Sequence, residues 1–288
     1  MKAIIIAGGD GTRLYPMNCI TNKHLLPICD RPVIFYSMGL LMESGIIKFI
    51  IVIKRADYQI YLNLLGKGEN LGIQITYVFQ DEALGIADAL YRCKDYIHNR
   101  FIVMLGDNFF NAGDVVEVLR KQIVSNLISE EMFMFSVPCS NSVVATSAEF
   151  TEDGKVTKLL FKEKNKSNTI CPGMYIYGRN VFDRIEKLAH SKRNELEIID
   201  LNRMYLADDK LKIIPLSEDT IWLDLGSMED RILAENYVYL IEKIQGKKIA
   251  CLEEIAIKNK WVTVNSINQI FESDKSSSYI NYIKKIEK

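Results

Sequence analysis

Histidine is scarce in this chain. There are three in 288 residues, His24, His98 and His190. None stands at metal-ligand spacing from another, which argues against a histidine-based zinc site. The six cysteines, at positions 19, 29, 93, 139, 171 and 251, include no CxxC pair. No secretory pattern opens the chain either: glycines and an arginine follow the short apolar run where a cleavage site would lie. The cysteines therefore read as free thiols in a reducing cytoplasm. A charge excess of either sign is also missing. The net charge is −1, so neither nucleic acid nor an anionic membrane is expected as a partner. No apolar run reaches the roughly 20 residues that cross a bilayer. There is no internal repeat and no low-complexity linker.

What is present is an ordinary globular balance, 48% hydrophobic and 25% charged, with ample material for a core. In the first half, apolar strand-like runs alternate with amphipathic helical stretches. The runs are Ala3–Ala7, Phe49–Ile53, Ile75–Phe79, Phe101–Leu105 and Met132–Val137. Between them lie Val33–Ser44, Tyr58–Leu65, Leu84–Tyr96 and Val115–Val124. Such alternation predicts an α/β fold: a mostly parallel Rossmann-like sheet with helices on both faces. Right-handed crossovers then gather the loops at the carboxyl edge of the sheet. The second half has short strands at Ser147–Phe150, Lys155–Leu160 and Met174–Tyr177, joined by polar turns. Helical patterns resume at Val181–Leu188, Leu196–Leu206 and Met228–Ile244. The expected organisation is one unit over 1–245, with halves at about 1–140 and 141–245, the second forming a smaller lobe. A helical appendage that lies on the surface follows at 246–288.

The loop after the first strand reads Ala7-Gly8-Gly9-Asp10-Gly11-Thr12-Arg13. Glycines let backbone N–H groups approach phosphate oxygens. Thr12 offers a hydroxyl and Arg13 a planar fork of donors. Lys23 follows ten residues later as a second cation. The glycine spacing is not that of a dinucleotide fingerprint, and no Gly-Lys-Ser/Thr of a P-loop occurs. On its own the segment is equally a tight strand-to-helix turn carrying a solvated arginine. Asp107 closes the Phe101–Leu105 strand in Leu105-Gly106-Asp107-Asn108, and Asp224 follows Trp222-Leu223. Each alone reads as a cap or turn residue. Together with phosphate oxygens they make a hard, all-oxygen site suited to Mg²⁺. Trp222 reads as a core aromatic.

Gly8-Gly9-Asp10-Gly11-Thr12-Arg13-Leu14-Tyr15-Pro16, followed by Thr21-Asn22-Lys23-His24-Leu25-Leu26-Pro27, resembles the signature of sugar-1-phosphate nucleotidyltransferases, in particular the glucose-1-phosphate thymidylyltransferase family. The resemblance continues through Leu84–Ala89, Leu105–Asn108, Glu195–Ile198, Trp222–Asp224 and Cys251–Ile255, nearly the whole chain. It implies transfer of a nucleotidyl group from dTTP or UTP to a sugar 1-phosphate, with Mg²⁺ as cofactor. By that resemblance Asp107 and Asp224 hold the metal, and Arg13, Lys23 and Lys162 are catalytic. Gly8, Gly9, Gly11, Thr12, Gln80 and Gly85 join Arg13, Lys23 and Asp107 around the nucleotide, with Gln80 and Gly85 at the base. Thr146, Phe161, Lys162, Cys171 and Gly173 line the sugar. A homotetramer is implied as well. The negative Asp10 beside a triphosphate is expected to cap the next turn.

The sugar side departs from the family pattern. Thr146 stands where glycine is usual, and Phe161 where the family has a sugar-binding glutamate, unless a local shift brings Glu163 and Lys164 into those places. Asn194 replaces a glycine between Arg193 and Glu195. In the tail, Lys258 replaces an arginine and Gly113 a histidine of the family's second nucleotide site. Two alternatives stand beside the main reading: an enzyme for a different sugar phosphate, and a nucleotide-binding homologue without turnover.

Overall fold

The structure, a computed structural model, describes residues 1–111, 113–125, 130–139, 144–164, 169–271 and 277–286, with side chains for all of these except 144 and 162–164. Its centre follows from the uninterrupted apolar runs. In a strand, successive side chains point to opposite faces, so a continuous run must be covered on both. In β1 (Lys2–Ile6) Ala3 and Ile5 face one core cluster and Ile4 and Ile6 the other. The same split divides Phe49 and Ile51 from Ile50 and Val52.

In chain order the strands are β1, β2 (Pro27–Ile28), β3 (Arg31–Pro32), β4 (Lys48–Ile53), β5 (Gln74–Phe79), β6 (Phe101–Leu105), β7 (Asn108–Asn111), β8 (Met132–Pro138), β9 (Val144–Phe150), β10 (Val156–Lys164), β11 (Thr169–Ile170), β12 (Met174–Tyr177), β13 (Leu211–Pro215) and β14 (Ile221–Asp224). The helices are α1 (Ile34–Glu43), α2 (Tyr58–Leu65), α3 (Ile86–Tyr91), α4 (Val115–Val124), α5 (Val181–Ile185), α6 (Ile198–Ala207), α7 (Met228–Gln245), α8 (Leu252–Lys258), α9 (Val264–Ile270) and α10 (Ser278–Ile283).

The main sheet runs β11-β8-β12-β6-β1-β4-β5, with β13 added beside β8. The run β6-β1-β4-β5 is parallel, and β12 enters antiparallel between β6 and β8. Helices α1, α2, α4 and α8 cover one face and α3, α5 and α6 the other. The α/β expectation holds. The chain leaves β1 for β4 and β5 on one side, then returns to place β6 on the other. The carboxyl ends of β1 and β6 are therefore a topological switch point, where open α/β sheets bind ligands.

Two expectations change. β10 runs past Leu160 to Lys164, so the Phe161–Lys162 stretch is strand. Its partner residues step from Leu160↔Ser147 to Glu163↔Ala145, which leaves Phe161 and Lys162 opposite Thr146 in a bulge. The tail beyond Lys247 is not merely surface-lying. Leu252, Ile255 and Ala256 of α8 are buried against α1.

One buried cluster fastens this tail. Arg31, 1% exposed, donates to Glu242 (2.5 Å) and to the Ile249 carbonyl (2.5 Å). Glu242 also accepts the Ile249 N–H (2.8 Å), and Lys248 pairs with Asp30. Burial opposes the Arg31 charge, but Tyr36, Glu242 and Asp30 outweigh it and raise its pKa further. Removing one partner leaves a desolvated charge, which costs more than the pair contributes. Glu242→Ala should destabilise the protein by about 3 kcal/mol in urea unfolding. A change below ~0.5 kcal/mol, the range of ordinary surface substitutions, would show that the cluster does not hold the tail.

Candidate active site

The switch point is built from four chain segments. After β1, the Ala7 N–H makes a last ladder-like bond to the Val52 carbonyl (2.8 Å), and the chain breaks away through the glycine loop. Gly11 sits in the left-handed region at φ 61°, and a Cβ there would stand 3.0 Å from the Lys23 Cβ. Gly9 likewise lies against the Lys23 stem. The loop is thus folded over Lys23, which brings its backbone and that ammonium to one place. A single 3₁₀ turn, Thr12–Leu14, carries Arg13 onward. Asp10 does not cap this turn. The residue before the turn is Gly11, with no side-chain cap, and Asp10 pairs outward with Lys54. A loop carboxylate lowers its energy more by meeting a cation than by capping one short turn.

Asp107 follows β6, and Asp224 ends β14. The antiparallel pairing of β14 with β7 sets Asp224 opposite Asn108, so two distant carboxylates become neighbours. Lys23 pairs with Asp107, and Arg13 donates to Asp224 at 2.9 Å. A Cβ built on Gly226 would stand 2.5 Å from Arg13 Nη2, 2.9 Å from Asp224 Oδ1 and 3.2 Å from Asp107 Oδ2. Three charged groups converge on a point that only a glycine leaves open. Burial pushes the Asp107 carboxyl up, but Lys23 and its hydrogen bond, with His24, hold it well below the usual carboxylate range. Burial lowers the Arg13 pKa and Asp224 raises it further, so the guanidinium stays charged.

Sequence reasoning passed over the residues that steady this cluster. Asn22 donates to the Ala7 carbonyl (3.0 Å) and to Asp57 (2.8 Å). Its Oδ1 meets the His24 N–H (2.9 Å) and His24 Nδ1 (2.7 Å). Burial and then Lys23 lower the His24 pKa to about 3, so its ring is neutral at physiological pH and serves as packing against Gly106. Asn108 Oδ1 accepts from Trp222 Nε1 (2.7 Å) and the Gly173 N–H (3.1 Å), and its amide donates to Asp107. Trp222 packs on the core as expected, yet its N–H also ties β14 to the aspartate loop. A polar residue directly after a strand-end aspartate was the available signal.

Gln80, expected at the base, is 6% exposed. Its amide nitrogen donates to the Gly85 carbonyl (2.9 Å) and to Asp88 (2.8 Å). That consumes both donors and leaves the oxygen, beside Gly8, to accept. Gly85 has φ 97°, and a Cβ there would collide with the Leu196 backbone. Packing against that backbone is enough to require glycine here.

On the remaining side, the Cys171 N–H donates to the Thr146 carbonyl (2.7 Å). The Cys171 thiol is buried, which pushes its pKa to about 12. No disulfide joins the cysteines among the described residues. Gly173 uses its N–H on Asn108 and its carbonyl on the Leu105 N–H (2.9 Å), and a side chain there would collide with Leu105. Phe161 packs against the second core cluster with Ile86 and Leu196. The Lys162 side chain lies outside the described residues. Asn194 takes the left-handed conformation (φ 60°), which asparagine tolerates and which explains how it replaces glycine. A separate cavity of about 260 Å³ between α1 and the tail is lined by Tyr36, Glu43, Lys247 and Lys258, among others, and by none of the four converging charged residues. Lys258 pairs there with Glu254 at 2.6 Å.

The family model for nucleotidyl transferases matches residues 2–239. The chain belongs to the nucleotidyl transferase family. It is 34% identical to a glucose-1-phosphate thymidylyltransferase of Neisseria meningitidis over the full length of both chains. It is 33% identical to one of Mycobacterium tuberculosis, over 98% of each. A Bacillus anthracis structure assigned as a glucose-1-phosphate thymidylyltransferase, in complex with a sucrose, superposes with a TM-score of 0.74 at 33% identity. That match covers 82% of this chain and 94% of the other. A UDP-glucose pyrophosphorylase complexed with UDP-glucose shares the fold at TM-score 0.70 and 24% identity, over 83% and 98% of the two chains. This nucleotidyltransferase therefore places its charged residues at the switch point that its family's fold provides.

Gly226→Ala should fill the point where Arg13, Asp107 and Asp224 meet. A displacement of about 1 Å at a reacting centre costs on the order of 100-fold. The expected result is a loss of that size in kcat with the unfolding midpoint little changed. Unaltered turnover would mean that the open point at Gly226 is not used.

Proposed function

We propose that this enzyme transfers a nucleotidyl group from dTTP, or from UTP, to glucose 1-phosphate and releases pyrophosphate. The observation that carries the proposal is the convergence of Lys23–Asp107 and Arg13–Asp224 on the open point at Gly226. A phosphate oxygen of the sugar 1-phosphate attacks the α-phosphorus. The new P–O bond forms as the α–β bridging bond breaks, and its electrons leave with pyrophosphate. The nucleophile is already an anion, so no general base is needed. What the protein must do is hold two polyanions in line and stabilise the leaving charge.

Arg13 and Lys23 suit that work. Without substrate each is neutralised by an aspartate, and an arriving triphosphate competes for both cations. Arg13 then serves the pyrophosphate side and Lys23 the α-phosphate, under the loop of Gly8, Gly9, Gly11 and Thr12. Asp107 and Asp224, freed of those partners, fit Mg²⁺: they are hard oxygen donors around a space that any Cβ at Gly226 would fill. Among the described residues no group of three or more histidine, cysteine or acidic ligands forms, which matches the habit of Mg²⁺ to complete its shell with water and substrate phosphates. When bound, the ion screens the repulsion between the two phosphates. Gln80, with only its oxygen to offer, suits a base edge that presents an N–H, as thymine and uracil do at their ring nitrogen. Lys162, by family resemblance, takes the sugar phosphate. The proposal includes a homotetrameric assembly and a cytoplasmic location. No helix among the described residues is long and apolar enough to cross a membrane.

A second sugar is favoured by one observation. Phe161 is packed on the core, so the charged acceptor that the family places there is missing, an interaction typically worth about 1.5–3 kcal/mol.

Pyrophosphate release over a panel of nucleoside triphosphates and sugar 1-phosphates tests both. Turnover with dTTP and UTP but not CTP, on glucose 1-phosphate, is expected. Faster turnover on another sugar 1-phosphate would establish the second reading, and no release with any pair would sink the proposal. Asp107→Asn should reduce turnover to background, while Phe161→Glu should raise kcat/KM for glucose 1-phosphate by about tenfold or more, the rate equivalent of the missing hydrogen bond.

A further inference from the structure

Gln80 follows β5 directly, and its neighbours decide which way its amide faces. An amide can be turned about its last bond, which exchanges oxygen and nitrogen with little change of shape. Here the exchange is blocked. Nε2 faces the Gly85 carbonyl (2.9 Å) and an Asp88 carboxylate oxygen (2.8 Å). Both groups only accept hydrogen bonds. Turning the amide would set Oε1 against two oxygens, one of them charged. Oε1 instead lies beside Gly8, the first glycine of the loop after β1.

Asp88 is itself held in place. It sits on α3 between Ala87 and Ala89, both fully buried, which fixes its position against the sheet. One turn later, Arg92 Nε donates to the same carboxylate oxygen at 2.7 Å. Side chains at i and i+4 of a helix face each other, so this clamp is built into the sequence. The Asp88 side chain is 16% exposed and that of Arg92 37%. The Gly85 carbonyl is the weaker anchor of the amide. It is neutral and is shared with the Ala89 N–H (3.2 Å). A hydrogen bond to an ionised acceptor is about twice as strong as one between neutral groups. Asp88 therefore fixes the Gln80 amide more firmly than Gly85 does.

We infer that Asp88, clamped by Arg92, is a specificity-determining positioning residue: it orients Gln80 so that an oxygen, and not an N–H, is offered to the base. Uracil and thymine carry an N–H at the ring nitrogen of that edge and meet the oxygen. Cytosine carries a lone pair at the same nitrogen, which the oxygen repels. A buried polar group that one ligand matches and another leaves unpaired gives a site its strongest discrimination. Asp88 acts through Gln80 and needs no contact with the nucleotide. The inference rests on the reading of Gln80 as the base contact and adds the residue that makes Gln80 selective.

Titration calorimetry on the full chain with UTP and CTP tests this. The two nucleotides share ribose and triphosphate and differ only along the base edge. Wild type should bind UTP more tightly than CTP. Asp88→Ala should narrow the ratio of the two dissociation constants by about tenfold, the equivalent of one hydrogen bond to a charged group. Asp88→Asn keeps an oxygen for Nε2 and should hold the ratio within about threefold of wild type. Gln80→Ala should narrow it at least as far as Asp88→Ala does. A merely structural role of Asp88 in α3 would weaken both nucleotides alike and leave the ratio unchanged. Circular dichroism matching wild type checks that each chain is folded. If Asp88→Ala is not, Asp88→Ser, whose hydroxyl falls short of Gln80, takes its place. Equal binding of UTP and CTP by wild type, an unchanged ratio in the alanine or serine variant, or no recovery in Asp88→Asn overturns the inference. If Gln80→Ala alone loses the ratio, the base reading stands without Asp88. The comparison is made in binding, so an absence of pyrophosphate release would sink the transfer reaction and leave this result readable.

Discussion

The short antiparallel pairing of β7 with β14 decides where the charges of this protein stand. It sets Asp224 opposite Asn108 and so beside Asp107, which the end of β6 has already delivered to the switch point. Without it the two carboxylates belong to separate halves of the chain. With it, four charged groups of alternating sign share one crevice, each carboxylate balanced by a cation from the first loop. Asp107, nearly buried, depends on this arrangement. Burial alone would favour its neutral form, and Lys23 reverses that. The site is therefore stored as two neutral ion pairs.

Around that cluster the polar residues act as joints. Asn22 joins the first loop to the end of β1 and to Asp57, and Asn108 joins β6 to β12 and β14. Both use nearly their full hydrogen-bonding capacity, which is how buried amides specify one geometry. The glycines have the complementary part. Gly11 and Gly226 leave space in the crevice, whereas Gly85 and Gly173 are required by close backbone packing.

The parts of the site differ in how firmly they follow the family. The segments expected at the nucleotide keep the family's glycine loop, both cations and both aspartates. In the segments expected at the sugar, a bulge stands opposite Thr146 and Phe161 is packed on the core. The tail, clamped by Arg31, Glu242 and Lys248, extends the body instead of hanging from it. Helix α7 connects this tail to Asp224.

The sequence by itself determined the central strands, the sheet's two-faced burial and the glycine loop. Those depend on local periodicity and on residues only a few positions apart, which a one-dimensional pattern preserves. Phe101–Leu105, Met174–Tyr177 and Tyr58–Leu65 have the bounds that the pattern predicts. The aspartates and cations were legible as residue types at strand ends and through family resemblance. Only the tertiary structure decided what they do to one another: that Asp10 turns to Lys54, that Gly226 leaves the open point, and that Asn108 and Asn22 fix the geometry. It alone supplied β7 and β14, too short and too mixed in polarity to show periodicity. The physical reason is common to all of these. Each depends on contacts between segments far apart in the chain, and neither the pairing register nor a buried hydrogen bond has a local signature.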